Sequence, residues 1–269
     1  MNKSIPIFSD LSDNISAGLL PSSTLIMRLL SNCFGMFVLS SDKIVLYSQQ
    51  YAFSGRLSLA EKFSEIENAY KKMGVVCGKN VFQFYTNINT QIPEELYVEN
   101  LNTDIANLLI SNSKEYIPVA EKIDKWQLYN LSLWNKDLRE KVDDIFPNFQ
   151  QKTVLGALLE KIAARPSKEE VIVFVETHNF TIIVKNTNGL LGCNSFAFET
   201  EADFLYYNLA FLRKFYQNIS ALPVFLCGNI VKDSSLFQSM NKYLPCVELA
   251  KSEAANSSIE NAHYYFDII

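Results

Sequence analysis

VIVFVETHNFTIIVKNTNGLLGCNSFAF, residues 171–198, reads as three strands joined by two turns. Val171–Val175 is an unbroken apolar run, of strand length and fit for burial. Glu176-Thr177-His178-Asn179 interrupts it with polar turn formers. Phe180–Val184 is a second apolar strand, Asn186-Thr187-Asn188-Gly189 supplies turn residues, and Leu190–Phe198 is a third strand. Just upstream, Arg165-Pro166-Ser167 is the clearest boundary in the chain. Downstream, the spacing of Phe204, Tyr207, Phe211 and Phe215 predicts a helix over Ala202–Asn218 with one apolar face. A strand at Val224–Cys227 and a glycine turn follow.

The same order stands in the first half. Thr24–Leu30 reads as a strand, Phe34–Leu39 and Lys43–Tyr51 as a hairpin turned at Ser40-Ser41-Asp42. Ser58-Leu59-Ala60-Glu61 is a capping box opening a helix to about Met73, closed by Gly74. Val81–Thr86 reads as the next strand. Laying Phe34 over Phe180 superposes hairpin on hairpin and helix on helix at an offset of about 146 residues, which predicts a duplication. Between the copies, Pro93 opens a short helix, and Leu108–Asn112 and Gln127–Trp134 read as strands. Asn135 starts a helix that stops at Phe146-Pro147, and Lys152–Ala164 forms another with Leu155, Leu158, Leu159 and Ile162 on one side. These readings divide the chain into a loose arm (1–20), a first lobe (21–150) and a second lobe (151–269), with a cleft between the lobes.

The chain has 269 residues, 48% of them hydrophobic, which suffices for a sizeable core. A net charge of -5 without any Lys/Arg run excludes nucleic acid as the main partner. No apolar stretch is long enough for membrane insertion, and the N-terminus lacks the features of a signal peptide, so the expected location is cytoplasmic. Five scattered cysteines without a C-x-x-C pair read as reduced thiols. Of the two histidines, His263 is expected to pack on a lobe surface, whereas His178 stands two residues from Glu176. Strand alternation would put that pair on one face. The reading favours ordinary turn groups there over a metal or acid/base site, and no metal is expected. Walker, G-x-S-x-G, H-E-x-x-H and G-x-G-x-x-G motifs are all absent from the sequence.

Asn194-Ser195-Phe196, then Asp203, then Tyr206-Tyr207 resembles the hallmark of an uncharacterised bacterial domain-of-unknown-function family with an actin-like ATPase fold. Pro93-Glu94-Glu95-Leu96-Tyr97, Phe146-Pro147 and Leu226-Cys227-Gly228 add to the resemblance, in the expected order. It implies an α/β actin-like (ribonuclease H-like) duplicated fold. Each of its two lobes would carry a mixed sheet flanked by helices, similar to pilus-assembly and secretion proteins. Active members of that superfamily carry an Asp-x-Gly turn after the first strand of each lobe. Here the corresponding turns are Leu30-Ser31-Asn32-Cys33-Phe34-Gly35, with no carboxylate, and Val175-Glu176-Thr177-His178-Asn179-Phe180, with no glycine. The adenosine-side turn keeps one glycine, Gly228, followed by Asn229. The resemblance thus makes Asn32, Cys33, Glu176, His178, Gly228 and Asn229 the cleft candidates.

With these degenerate loops, the expected function is a non-catalytic pseudo-ATPase scaffold without a cofactor, binding a protein or peptide partner or forming a homodimer. The alternative is an ATPase using ATP with Mg, Glu176 and the Gly228 turn. Tyr206 and Tyr207 are expected to pack in the core, and Asn194 to hydrogen-bond Asp203 and so cap the helix.

Overall fold

Apolar and β-branched runs bounded by turns become three sheets in the computed structural model, which describes residues 5–11, 18–166 and 168–251. The chain opens with β1 (Ile5–Leu11), β2 (Gly18–Leu29), β3 (Cys33–Leu39), β4 (Val45–Ala52), α1 (Leu59–Met73) and β5 (Val75–Phe84). An excursion follows through β6 (Asn89–Pro93), α2 (Asn102–Leu109), β7 (Tyr116–Ile123), β8 (Leu128–Asn135) and α3 (Lys136–Ile145). After it come β9 (Gln150–Thr153), α4 (Val154–Ala164), β10 (Glu170–Val175), β11 (Asn179–Asn186) and β12 (Gly189–Ala197). The last elements are α5 (Glu201–Leu212), β13 (Val224–Gly228), α6 (Ser235–Tyr243) and β14 (Val247–Leu249).

The first sheet has the order β1-β4-β3-β2-β5-β9 and the second β12-β11-β10-β13-β14, while the excursion makes a small antiparallel sheet β6-β8-β7. Without β1, the two large sheets share one topology: an antiparallel three-strand meander, then two parallel additions. Their registers agree as well. Thr24 pairs Leu39 and Leu29 pairs Phe34, while Glu170 pairs Lys185 and Val175 pairs Phe180, each at an offset of 146 residues.

One face of the first sheet packs Leu25, Met27 and Phe82 against Phe63 and Ile66 of α1 and Val142 of α3. One face of the second packs Val173, Val175 and Ile182 against Phe204 of α5 and Met240 of α6. Between the lobes lies α4. Its Leu155, Leu158, Leu159 and Ile162 share a core cluster with Ile172, Phe174, Ile183 and Cys227 of the second sheet and Leu30 and Cys33 of the first lobe. The helix ends obey local rules. Ser58 and Glu61 form the expected capping box, Gly74 closes α1 in the left-handed region at φ 66°, and Thr153 caps α4 by accepting from Gly156 N.

Several expectations are corrected. Ile5–Leu11 is not a loose arm but a strand, pairing β4 from Ile5↔Ala52 to Leu11↔Tyr47, and β2 begins at Gly18. The rest of that arm, residues 1–4 and 12–17, lies outside the described residues, as does His263. The strand expected at Leu108–Asn112 is instead the last two residues of α2, its C-cap Ile110 and the turn that follows. Leu101, Ile105 and Leu108 recur at helical spacing there, and a short apolar run alone does not separate the two periods. The helix expected through Asn218 stops at Leu212, with Phe215 folded back so that its N–H donates to Leu212 O at 3.0 Å. The division between residues 150 and 151 falls inside β9, which pairs with β5.

Candidate functional site

The two copies of the hairpin turn face each other across the lobes. In the first, Leu30 N–H donates to Cys33 O at 2.9 Å; in the second, Glu176 N–H donates to Asn179 O at 2.8 Å. The turns touch. Ser31 N–H donates to Glu176 Oε1 at 3.2 Å, and Thr177 Oγ1 reaches the same oxygen at 3.5 Å. Glu176 is 1% exposed, and its Oε2 has no hydrogen-bond partner among the described residues. Lys62 of α1 steadies the first turn from outside, donating to Ser31 O at 2.8 Å and lying over the Phe53 ring at 5.1 Å.

Aromatic and thiol groups fill the space behind the turns. Cys33 is buried, with Gln50 Nε2 donating to its Sγ at 3.0 Å. Burial pushes the thiol up to about 12; the Gln50 hydrogen bond opposes this and the Glu176 charge adds to it. The Tyr85 ring faces Phe174 at 6.2 Å across the lobes. Burial holds its phenol above the ordinary range, with Thr181 pulling the other way and Glu176 raising it further. Tyr85 N–H donates to Leu29 O at 2.9 Å, as Asn229 N–H donates to Val175 O at 2.7 Å. The two residues occupy equivalent places in the two lobes. Gly228 has φ 85°, and a Cβ there would overlap the Val175 carbonyl oxygen, so this glycine is required by the close approach of β13 to β10.

The sequence candidates separate on this frame. Cys33 and Glu176 come together in the buried interior, whereas Asn32 and His178 are exposed and contribute carbonyls, to Phe53 N–H and Phe198 N–H respectively. Glu176 and His178 therefore do not share a face: residues 176–179 close a hairpin, and strand alternation does not apply to them. Among the described residues no cluster of three His, Cys, Asp or Glu side chains could hold a metal ion. Nor is any described helix long and apolar enough to cross a membrane.

The hallmark residues have structural partners. Ser195 Oγ lies 2.8 Å from Thr181 Oγ1 and accepts from Asn89 Nδ2 at 3.1 Å, tying the second sheet to the small one. Phe196 stacks on Tyr207 at 5.1 Å. Asp203 caps α5 with Thr200, whose N–H and Oγ1 donate to Oδ2 at 3.0 and 2.8 Å; Asn194, expected there, is exposed on β12. Tyr206 is 66% exposed, not in the core, because it points away from the face that Tyr207 buries. The sequence reading missed Ser31, Lys62, Tyr85 and Phe174. Extending the duplication to β5 and β13 would have found Tyr85, which sits where Asn229 sits.

None of the curated proteins matches this chain in sequence. Among solved structures it is similar to a Bacteroides thetaiotaomicron protein described as having an actin-like ATPase fold and unknown function. That likeness has 18% identity and a TM-score of 0.72, over 85% of this chain and 91% of the other. It is also similar to a structure described as the PilM-PilN type IV pilus biogenesis complex, at 11% identity and a TM-score of 0.63, over 91% of this chain and 96% of the other. At such identities the likeness concerns the fold, and the repeated sheet order and register described above are that actin-like fold. The model of the family described as "Protein of unknown function (DUF3822)" matches residues 13–247, and the chain belongs to that family.

Proposed function

We propose that this protein is a non-catalytic, cytoplasmic actin-like scaffold that binds a protein partner and does not turn over nucleotide. The observation carrying this reading is the contact between the two turns. Where the resemblance leads one to expect a phosphate on backbone N–H groups, the Glu176 carboxylate already accepts from Ser31 N–H. A phosphate entering there would meet a buried carboxylate of like charge, and would have to displace Cys33, Tyr85 and Phe174 from their packing. The partner surface in this reading is α2 and the segment leading to it. Leu101 and Leu108 lie on one helical face, and Leu96, Val98, Leu101 and Leu108 are 46–86% exposed. Glu94, Glu95, Glu99 and Asp104 flank them, and residues 94–113 contain no Lys or Arg. That chemistry suits a basic amphipathic segment of a second protein. The PilM-PilN complex, an assembly of two different proteins on a similar fold, adds support.

Two measurements test the reading. Titration with ATP and ADP, with and without Mg²⁺, is expected to leave the melting temperature unchanged at millimolar concentration. A saturable, magnesium-dependent rise lost in Glu176→Ala would replace the scaffold by the ATPase. A photo-crosslinking residue placed at Leu108 in cells is expected to trap one protein, and to lose it in Leu101→Asp. No discrete product, or one indifferent to Leu101→Asp, would sink the partner surface.

A further inference from the structure

The duplication provides an internal control for reading the face of each sheet that turns toward α4. In the second sheet that face is apolar, with Ile172 and Phe174 on β10 and their register partners Phe225 and Cys227 on β13. The equivalent positions of the first sheet are Ile26 and Arg28 on β2, with partners Val81 and Gln83 on β5. Two of the four core positions have thus become polar, and they are joined: Arg28 Nε donates to Gln83 Oε1 at 3.3 Å, with both residues buried. Polar side chains buried where the sister lobe has core cost stability unless they serve something else.

A cavity opens at this face. It has a volume of about 570 Å³ and lies between β2, β3 and β5 on one side and the C-terminal half of α4 on the other. Lys43, Lys79, Lys152, Lys161 and Arg165 line it, and Glu160 is the one carboxylate among the described lining residues. Glu160 is engaged by Lys152 at 2.7 Å. Buried Glu170, behind the wall, takes Arg165 at 3.2 Å and Lys185 at 3.1 Å. Even so, Lys43 and Lys79 bring two further ammonium groups to the described lining, in a chain whose net charge is -5. A concave, partly apolar recess focuses that field. Thr24, Ser40, Ser41 and Gln83 add neutral donors.

We propose that this cavity is a binding site for a small phosphorylated molecule. Its volume is that of a small-ligand pocket. Ammonium groups and hydroxyls are donors that phosphate oxygens accept from. An extended acidic peptide suits it less. β2, β3 and β5 are interior strands whose ladders are paired on both sides, so these walls offer side-chain donors, and the edge strand β9 contributes only Lys152 to the lining. The site is distinct from the contact between the turns, since it lies midway along β2, at Thr24 and Ile26, and shares no lining residue with Ser31 or Glu176.

The test is calorimetric titration of the full chain with inorganic tripolyphosphate at fixed ionic strength. A saturable one-to-one isotherm is expected. Lys79→Glu should weaken it at least tenfold, while Lys79→Arg and the distant exposed Lys141→Glu should leave it within twofold. Lysine acetylation of the unaltered protein, read by mass spectrometry, should show Lys43 and Lys79 protected by tripolyphosphate, a readout independent of whether any variant folds. The proposal is overturned by no saturable heat, by equal loss in Lys141→Glu, or by absent protection. Preferential binding of hexaglutamate would overturn it too, reassigning the cavity to an acidic peptide. Loss in Glu176→Ala with none in Lys79→Glu would put the phosphate between the turns, against this proposal and the scaffold reading together.

Discussion

Glu176 is the residue on which the two lobes meet, and its neighbours show how single side chains were and were not legible. Its place in a turn could be read from Glu176-Thr177-His178-Asn179; its burial against Ser31, 145 positions away, could not. Gly228 was legible as a glycine turn, but the need for glycine comes from the Val175 carbonyl, which a Cβ would overlap at φ 85°. Gly228→Ala is therefore expected to destabilise the fold by about 1–3 kcal/mol or more, read as a lower urea midpoint. A midpoint within error of the unaltered protein would mean that β13 shifts freely. The thiols offer a second check. Cys246 is exposed, whereas Cys33 is buried with its thiol pushed up to about 12. A disulfide reagent at pH 8 should modify Cys246 rapidly, and Cys33 only when the protein unfolds.

Helix α4 is the element that carries most. Its N-terminus receives an anion from the small sheet: Thr153 N–H and Oγ1 donate to the Glu121 carboxylate, and Gly156 leaves room for it. Burial raises the Glu121 carboxyl above its ordinary range, against hydrogen bonds from Thr153 and Asn130. The folded protein thus holds this proton to higher pH than the unfolded chain. Stability should fall as pH rises from about 4.5 through the folded value. Denaturation over that range should show the fall in the unaltered protein and a smaller one in Glu121→Gln; identical slopes would exclude Glu121 as its source. The apolar stripe of α4 was plain from Leu155, Leu158, Leu159 and Ile162, because helical period is local. The end of α2 reads as a strand in sequence because Leu108, Leu109 and Ile110 form a short apolar run, compatible with either period until tertiary packing chooses.

At the scale of the whole molecule, the cluster around α4 contains side chains from both lobes, so beside a core of its own each lobe shares part of its buried interior with the other. Leu159 is fully buried in that cluster. Leu159→Ala should cost about 2–5 kcal/mol and leave a single transition, with tryptophan fluorescence and far-UV circular dichroism coincident in urea. Separated transitions would mean that the lobes are independently stable. The sequence by itself determined the two three-strand meanders, the helices α1, α3, α4 and α5 and the repeat at about 146 residues, because each depends on neighbours within a few positions or on their spacing. Tertiary structure alone decided the rest. Pairing residues 5–11 with β4, closing Glu176 onto Ser31, setting Tyr85 against Phe174 and gathering Lys43, Lys79 and Lys161 around one cavity all join distant parts of the chain. Their partners are chosen by burial and charge in three dimensions, which local sequence does not encode.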